Sequence, residues 1–184
     1  MEQELAIQEK YASFCRRLEG GIKTVQTYED PQQQAVALEH IDFNTILQYL
    51  EENKAASEQK STGQGEAELV LQAIMRWFKQ DFFQWCNQPV CAYMQNHSGD
   101  DAMQTHSMQN HGIDTPSAEE REQGWAGRTE LYLCEVCSTI TRFARCNNPA
   151  YLLNHPAHRR GRCGEWANAF GLVLRALGFD VRCV

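Results

Sequence analysis

The chain has 184 residues, 42% of them hydrophobic and 22% charged, which is typical of a globular protein long enough to bury a core. Its formal net charge of −7 argues against nucleic acid or an anionic membrane surface as a general partner. The charge is uneven, because residues 1–127 contain 9 Lys/Arg and 20 Asp/Glu whereas residues 128–184 contain 8 and 4. The C-terminal third is therefore suited to attract a polar or anionic ligand.

Neither a signal segment nor a membrane helix is predicted. The start of the chain is acidic, and no apolar stretch approaches the roughly 20 residues that a membrane helix needs. We therefore expect a cytoplasmic protein, with the nucleus as the alternative. In a reducing compartment, 8 cysteines indicate metal binding or catalysis rather than disulfides. Two of them, Cys15 and Cys183, are expected to be small buried apolar residues.

Three helices are predicted in an N-terminal helical segment, residues 1–56. Apolar residues recur on one face of the first helix, which is predicted to end at Gly20-Gly21. Asp30 and Asp42 are the predicted N-caps of the second and third helices. Residues 57–65 are polar and contain glycine, which predicts a linker to the rest of the chain.

Residues 66–184 are predicted to form the main domain. Its first helix is predicted over Glu66–Trp85, with an apolar stripe that fits core packing. The alternative for these aromatic residues is that one Trp lies at the rim of a cleft and stacks on a sugar. Residues 95–127 are polar, which predicts a surface insertion that is ordered only near Pro116–Arg121.

The last part of the chain has a different pattern. A strand over Leu131–Leu133 is predicted to lead into the pair Cys134-x-x-Cys137. A helix with a regular apolar face is predicted to follow Cys163 and to end at Gly178 as its C-cap. The residues after it, Phe179–Val184, have the composition of a strand.

Cys163 is a candidate nucleophile because it immediately precedes that helix. A thiol at a helix N-terminus is stabilised as the thiolate by the positive end of the helix dipole and by free backbone N–H groups. Arg160 and Arg162 would add to this effect if they face inward. The competing interpretation is a buried structural thiol. A Cys nucleophile also needs a base, and His155 and His158 are the nearest histidines in sequence, which is weak support for either as the base.

Cys134 and Cys137 have the spacing of half a zinc site, and Cys91 is a candidate third ligand. The residue that would complete a second CxxC pair is Met94, and thioether sulphur is a poor ligand for zinc. The alternative is a group of free thiols. Two further candidates for the fourth ligand stay open, Cys86 and His97.

Together these segments resemble the cytoplasmic peptide:N-glycanase family of the transglutaminase-like superfamily. The resemblance covers Glu66–Val184, about two thirds of the chain. It rests on four blocks that occur in the family's order: Trp77–Trp85, Ala126–Cys137, Arg142–Pro149 and Gly161–Asn168.

The resemblance implies an α+β fold, with a partial transglutaminase-like (papain-related) core, a zinc-knuckle region over 86–137 and the N-terminal helical segment. It also implies hydrolysis of the amide that joins an N-glycan to asparagine in misfolded glycoproteins. Cys163 matches the family's nucleophile, and Cys91, Cys134 and Cys137 match three of its four Zn²⁺ ligands. The implied partners are misfolded N-glycoproteins, with proteasome-shuttle proteins that carry ubiquitin-like domains as a further candidate.

Two departures from the family pattern affect these expectations. Met94 stands where the fourth zinc ligand belongs. The family's catalytic His and Asp lie on strands beyond Val184, so we expect a fragment or a truncated copy that is inactive alone. One alternative is a non-catalytic paralogue that binds glycoproteins or shuttle proteins. Another is the DNA-repair branch of transglutaminase-like proteins, against which Cys163 and the acidic net charge both argue.

Overall fold

The structure is a computed structural model that describes residues 2–60, 65–95 and 107–182. It contains both helices and sheets, which confirms the mixed α+β class. The helices are α1 (Glu2–Thr27), α2 (Pro31–Glu39), α3 (Phe43–Lys60), α4 (Glu66–Trp77), α5 (Ala92–Gln95), α6 (Ala118–Glu122), α7 (Pro149–Asn154) and α8 (Cys163–Ala176). The strands are β1 (Gln84–Trp85), β2 (Met108–Asp114), β3 (Thr129–Cys134), β4 (Ile140–Ala144) and β5 (Arg160–Gly161).

Two sheets position the segments that carry the candidate residues. The strands β2, β3 and β4 form an antiparallel sheet in that order, with β3 at its centre. The short strands β1 and β5 pair in parallel, with Trp85 opposite Gly161. Because β5 directly precedes α8, this pair fixes the chain as it enters the helix that begins at Cys163.

The first helix runs through Gly20-Gly21, so the prediction that it ends there is wrong. Glycine inside a helix costs only about 1 kcal/mol relative to alanine, and packing further along can offset that cost. Val25 supplies such packing, because it lies against the main core. The predicted burial of Cys15 is also wrong, since its thiol is exposed on α1, and Cys183 lies outside the described residues.

The two predicted N-caps are confirmed. The Asp30 carboxylate accepts the Gln32 N–H at 2.8 Å at the start of α2. The Asp42 carboxylate accepts the N–H groups of Asn44 and Thr45, both at 3.1 Å, at the start of α3. Each side chain satisfies backbone donors that the helix itself leaves unpaired.

The helix α3 extends into the predicted linker. Residues 57–60 are its last residues, whereas residues 61–64 lie outside the described ranges. The predicted domain boundaries stay a prediction. In the structure, α2 and α3 contribute to the same hydrophobic core as α4, α7 and α8, and Tyr28, between α1 and α2, belongs to it as well.

The predicted helix over Glu66–Trp85 is divided into three parts. The α-helix ends at Trp77, a π-helical turn follows over Phe78–Phe82, and the last residues form β1. The turn is closed by the Phe83 N–H, which donates to the Phe78 carbonyl at 2.8 Å. The Phe78 and Phe83 rings then stack at 5.3 Å in the core. Trp85 leaves the apolar stripe and is 57% exposed, so its predicted core position is wrong.

The C-terminal helix is confirmed, and so is its cap. Gly178 has a left-handed φ of 87°, and its N–H donates to the Arg175 carbonyl at 3.0 Å. No strand follows over 179–182, where Phe179 and Val181 instead pack against the core. Residues 183–184 of the predicted strand lie outside the described ranges.

The polar insertion is more ordered than predicted, because β2 occupies Met108–Asp114 as an edge of the three-stranded sheet. Residues 96–106 lie outside the described ranges. In the part of the chain that the structure describes, no helix has the length and apolar character needed to cross a membrane.

Candidate active site and metal centre

Cys163 is the first residue of α8, and its side chain is exposed. The first hydrogen bond of the helix runs from the Trp166 N–H to the Arg162 carbonyl, at 2.8 Å. The N–H groups of the first turn have no partner within a helix, and they form the positive end of its dipole. The predicted position of Cys163 at a helix N-terminus is thus confirmed, whereas its catalytic role stays a prediction.

The side chain of Arg162 is bound to strand β3. Its Nη1 and Nη2 donate to the two oxygens of Glu130, at 3.1 and 2.8 Å, and Nη2 also donates to the Tyr132 hydroxyl at 2.6 Å. Arg162 Nε donates to the carbonyl of Asn87 at 3.2 Å. The charge of Arg162 is therefore balanced by a carboxylate, and the residue before Cys163 is fixed to the central strand of the sheet.

A second ion pair holds the first turn of α8. Glu165, which is 4% exposed, accepts from Arg145 Nε at 2.5 Å, from Arg145 Nη2 at 2.9 Å and from the Arg162 N–H at 3.0 Å. Arg145 also donates to Glu130 at 3.0 Å, so the two arginines and two glutamates form one network. Burial alone would raise the pKa of Glu165, but the hydrogen bond from Arg145 and the backbone donors outweigh it and lower the pKa.

The same balance applies more strongly to Glu130. Its burial alone would raise its pKa, but hydrogen bonds from Arg162, Arg145 and Tyr132 outweigh burial and lower the pKa to about 2. Glu130 is therefore a carboxylate throughout the neutral range and serves as the shared anchor of both arginines.

Close packing at Gly161 completes the approach of β5 to α8. A Cβ atom at Gly161 would lie 2.3 Å from the Cβ and 2.9 Å from the Cγ of Glu165. Only glycine allows the strand to pass this close to the buried carboxylate. The glycine thus lets the ion-pair network form at the start of the helix whose first residue is Cys163.

The three predicted metal ligands come together. The sulphur atoms of Cys91, Cys134 and Cys137 all lie within 4.8 Å of one another, and Cys91 Sγ is 3.5 Å from Cys137 Sγ. A tetrahedral zinc site with Zn–S bonds of about 2.3 Å needs sulphur atoms about 3.8 Å apart. The three thiols are therefore placed to hold one metal ion.

Backbone geometry supports this cluster from both sides. The Ala92 N–H donates to the Thr141 hydroxyl at 2.8 Å, which attaches the turn after Cys91 to β4. Ser138 takes a left-handed φ of 57°, and its N–H donates to the Cys134 carbonyl at 2.9 Å, which closes the turn between the paired cysteines. The turn thereby directs the side chains of Cys134 and Cys137 to one point.

The fourth ligand is not Cys86 in this arrangement, because Cys86 does not belong to the group of mutually close sulphur atoms. Met94 packs against the small hydrophobic cluster that contains Cys91 and Cys134, so it lies beside the candidate metal ligands. His97, the other candidate, lies outside the described residues.

The histidines near Cys163 in sequence are engaged with other residues. His158 stacks on the Tyr151 ring at 4.1 Å, and burial lowers its pKa. His155 Nδ1 accepts the Ala157 N–H at 3.2 Å. Neither contact orients an imidazole toward the thiol, so the structure gives no support to either histidine as its base.

A cleft of about 290 Å³ opens beside the first turn of α8. Arg128 contributes a half-exposed guanidinium to it, and its nearest carboxylate oxygen, in Glu130, is 3.7 Å away. Gly127 and Gly164 leave the cleft open, because a Cβ atom at either position would have no neighbour within 4 Å. The residues that line the cleft are Gly127, Arg128, Arg145, Asn147, Gly164 and Glu165.

The network and the cleft were not predicted from the sequence. Glu130 and Arg162 are 32 positions apart, and no local motif connects them. The available signal was the unusual local excess of arginine next to a few isolated glutamates in the C-terminal third.

No family model matches the chain. The chain is 36% identical over 157 residues to the peptide-N(4)-(N-acetyl-beta-glucosaminyl)asparagine amidase of Saccharomyces cerevisiae, which covers 85% of the chain and 40% of that protein. It is 36% identical over 177 residues to the amidase of the same name from Rattus norvegicus, which covers 94% of the chain and 25% of the relative. For the Kluyveromyces lactis amidase the identity is 33% over 172 residues, with 93% and 45% covered.

The chain thus spans less than half the length of these curated relatives. These relatives share one name, that of an amidase, so the chain is similar to one class of enzyme. Because the similarity extends over most of the chain, the predicted resemblance to the peptide-N(4)-(N-acetyl-beta-glucosaminyl)asparagine amidase family is confirmed.

Proposed function

We propose that this chain supplies the nucleophile and part of the cleft of an amidase that removes N-glycans from asparagine in misfolded glycoproteins. The observation that carries the proposal is the exposed Cys163 thiol at the first residue of α8, in a chain related to amidases. A transglutaminase-like, papain-related core and a place in the cytoplasm or nucleus belong to the same proposal.

In the proposed reaction, the Cys163 thiolate attacks the carbonyl carbon of the asparagine side chain and forms a C–S bond. Backbone N–H groups at the start of α8 are suited to stabilise the oxyanion. The C–N bond then breaks, the glycosylamine leaves with one added proton, and water hydrolyses the thioester to leave aspartate and the free thiol. The base and proton donor is a histidine that the resemblance places after Val184.

Alkylation rates test the nucleophile directly. With limited iodoacetamide, Cys163 should be modified faster than Cys15, the exposed reference thiol on α1, because thiolate fraction and access together set the rate. In the longest natural form of the protein, Cys163→Ala should abolish glycan release from a denatured glycoprotein while Cys15→Ala retains it. Unchanged release in Cys163→Ala would refute the proposal.

We infer that Cys91, Cys134 and Cys137 hold Zn²⁺ as a structural ion, which when bound supplies folding free energy. The purified chain should then contain about one zinc per molecule, and Cys134→Ser should lose it and melt at a lower temperature. Cys86→Ser is the matched control, because Cys86 is buried nearby but outside the sulphur group. A protein without zinc whose melting is indifferent to chelators would contradict the assignment.

A second function, binding of a partner protein, is favoured by one observation on α1. Several apolar residues that the sequence placed on one face of this helix are more than half exposed, namely Ile7, Tyr11, Phe14 and Leu18. Proteasome-shuttle proteins with ubiquitin-like domains are the proposed partners. Leu18→Glu should weaken their binding without changing the alkylation rate of Cys163, and unchanged binding would remove the case for this function.

A further inference from the structure

The ion-pair network beside Cys163 carries a surplus of positive charge. It contains two carboxylates, Glu130 and Glu165, and three guanidinium groups, those of Arg128, Arg145 and Arg162. Arg145 and Arg162 use their donors on the two carboxylates. The surplus therefore resides on Arg128.

Arg128 is also the most accessible of the three arginines. Its side chain is 56% exposed, compared with 18% for Arg145 and 23% for Arg162. Its distance of 3.7 Å from Glu130 is longer than a hydrogen bond, and among the described residues its guanidinium has no recorded hydrogen-bond acceptor, although it lines the cleft. A guanidinium with two parallel free donors is matched by a carboxylate.

The cleft has room for such a group next to the candidate nucleophile. Gly164, which lines the cleft, is adjacent in sequence to Cys163. The backbone at Gly127 and Gly164 is open, with no atom where a side chain would stand. The one carboxylate in the wall, that of Glu165, is already paired with Arg145, so it repels an incoming anion less than a free carboxylate would.

We propose that Arg128 makes the cleft beside Cys163 a carboxylate-binding subsite, which engages an acidic group of the peptide that carries the reacting asparagine. The identity of the ligand, a peptide with a glycosylated asparagine, rests on the proposed function. The preference of the cleft for an anion can be measured on the chain without that substrate. Two sources of the carboxylate fit this chemistry: an acidic residue flanking the asparagine, and the aspartate that the reaction leaves.

Two alkylating reagents of nearly equal size measure the selectivity on the 184-residue chain. Iodoacetate carries a carboxylate and iodoacetamide is neutral, so the ratio of their rates at Cys163, divided by the same ratio at Cys15, reports the local preference for an anion. We expect Arg128→Gln to lower this normalised ratio about two- to fivefold at low salt, and high salt to reduce the difference. Arg128→Lys should retain most of the ratio because it keeps the charge.

Arg175→Gln is the matched control, because it removes an arginine from the opposite end of the same helix, about 18 Å away by helix geometry. It should leave the ratio at Cys163 unchanged. A ratio that is the same in wild type and Arg128→Gln, with both proteins folded by thermal melting, would overturn the proposal. Slow modification of Cys163 by the neutral reagent would instead count against its role as nucleophile, so the two failures are distinguishable.

Two short peptides then assign the source of the carboxylate. One has aspartate at the position of the reacting asparagine, and the other keeps asparagine with an acidic neighbour. Each peptide is tested for protection of Cys163 from iodoacetamide in wild type and in Arg128→Gln. The peptide that protects wild type but not Arg128→Gln carries the carboxylate that Arg128 binds. Equal protection of wild type and Arg128→Gln by both peptides would contradict binding through Arg128.

Discussion

The buried pair between Arg145 and Glu165 should show a large energetic coupling. Arg145→Met leaves Glu165, which is 4% exposed, with one of its three hydrogen bonds, that from the Arg162 N–H. Breaking a buried ion pair from one side typically costs about 3–5 kcal/mol. Because the side chain of Arg145 is itself 18% exposed, water can reach the site. We therefore expect Arg145→Met to lower the free energy of unfolding by about 3 kcal/mol, the lower end of this range.

Replacement of both partners should cost much less than the sum of the two single changes. Arg145→Met with Glu165→Leu leaves no unpaired buried charge, and Glu130 keeps its two hydrogen bonds from Arg162. The double variant loses the hydrogen bond from the Arg162 N–H to Glu165 and that from Arg145 to Glu130, each worth about 1 kcal/mol or less, so it should be about 1–2 kcal/mol less stable than wild type.

The double-mutant cycle is measured by urea denaturation and should give a coupling of at least about 2 kcal/mol. The control cycle tests the ion pair of Arg175 with Glu29, whose side chains are 30% and 57% exposed. Its substitutions are Arg175→Met and Glu29→Leu. Exposed pairs contribute about 1 kcal/mol or less, so the control coupling should be small. Additive losses at Arg145 and Glu165 would refute the view that the network is one cooperative unit.

Three further changes test the geometry around the site. Ser138→Gly should raise the free energy of unfolding by about 0.5–1 kcal/mol, since glycine adopts the left-handed φ of 57° without strain; an unchanged urea midpoint would contradict this. Gly161→Ala should destabilise by about 1–3 kcal/mol because its methyl group overlaps Glu165, whereas the control Gly164→Ala meets no atom; equal midpoints for the two would exclude the clash. The pKa of Glu130 is lowered from its ordinary value of 4.5 to about 2, so the charged carboxylate stabilises the folded state. This contribution to the free energy of unfolding is complete above about pH 4.5 and is lost as the pH falls toward 2. The stability difference between wild type and Glu130→Gln should therefore shrink between pH 5 and pH 2, and a constant difference would show that the carboxylate charge is not its source.

Features with a local cause were predictable from the sequence. Asp30 and Asp42 cap helices through hydrogen bonds within three positions, and Gly178 ends α8 through its own backbone freedom. The start of α8 at Cys163 and the turn between Cys134 and Cys137 are local in the same sense. Each of these signals lies within a few residues, where the pattern of side chains determines the backbone.

Features that depend on contacts distant in sequence were missed. The periodicity from Glu66 continues through Trp85, but the strand pairing of Trp85 with Gly161 competes with the helix and ends it. Likewise Gly20-Gly21 does not end α1, because the packing of Val25 outweighs a weak local preference. In both cases tertiary contacts decide between two locally acceptable structures.

The strand β3 links the sulphur group of Cys91, Cys134 and Cys137 to the candidate nucleophile. Glu130, Tyr132 and Cys134 occupy alternate positions, so they lie on the same face of the strand, and all three are buried. At one end of this face Cys134 joins the sulphur group, and at the other Glu130 binds Arg162, the residue before Cys163.

This arrangement connects the cysteine cluster structurally to the candidate nucleophile. A short antiparallel sheet has little apolar area of its own, and its small core is mainly made of the cysteines and a few neighbouring side chains. A metal ion held by three thiolates would supply the missing stability to the strand that anchors Arg162. The precise placement of the exposed thiol then depends on the rigidity of β3, because the ion-pair network transmits that strand's position to the first turn of α8.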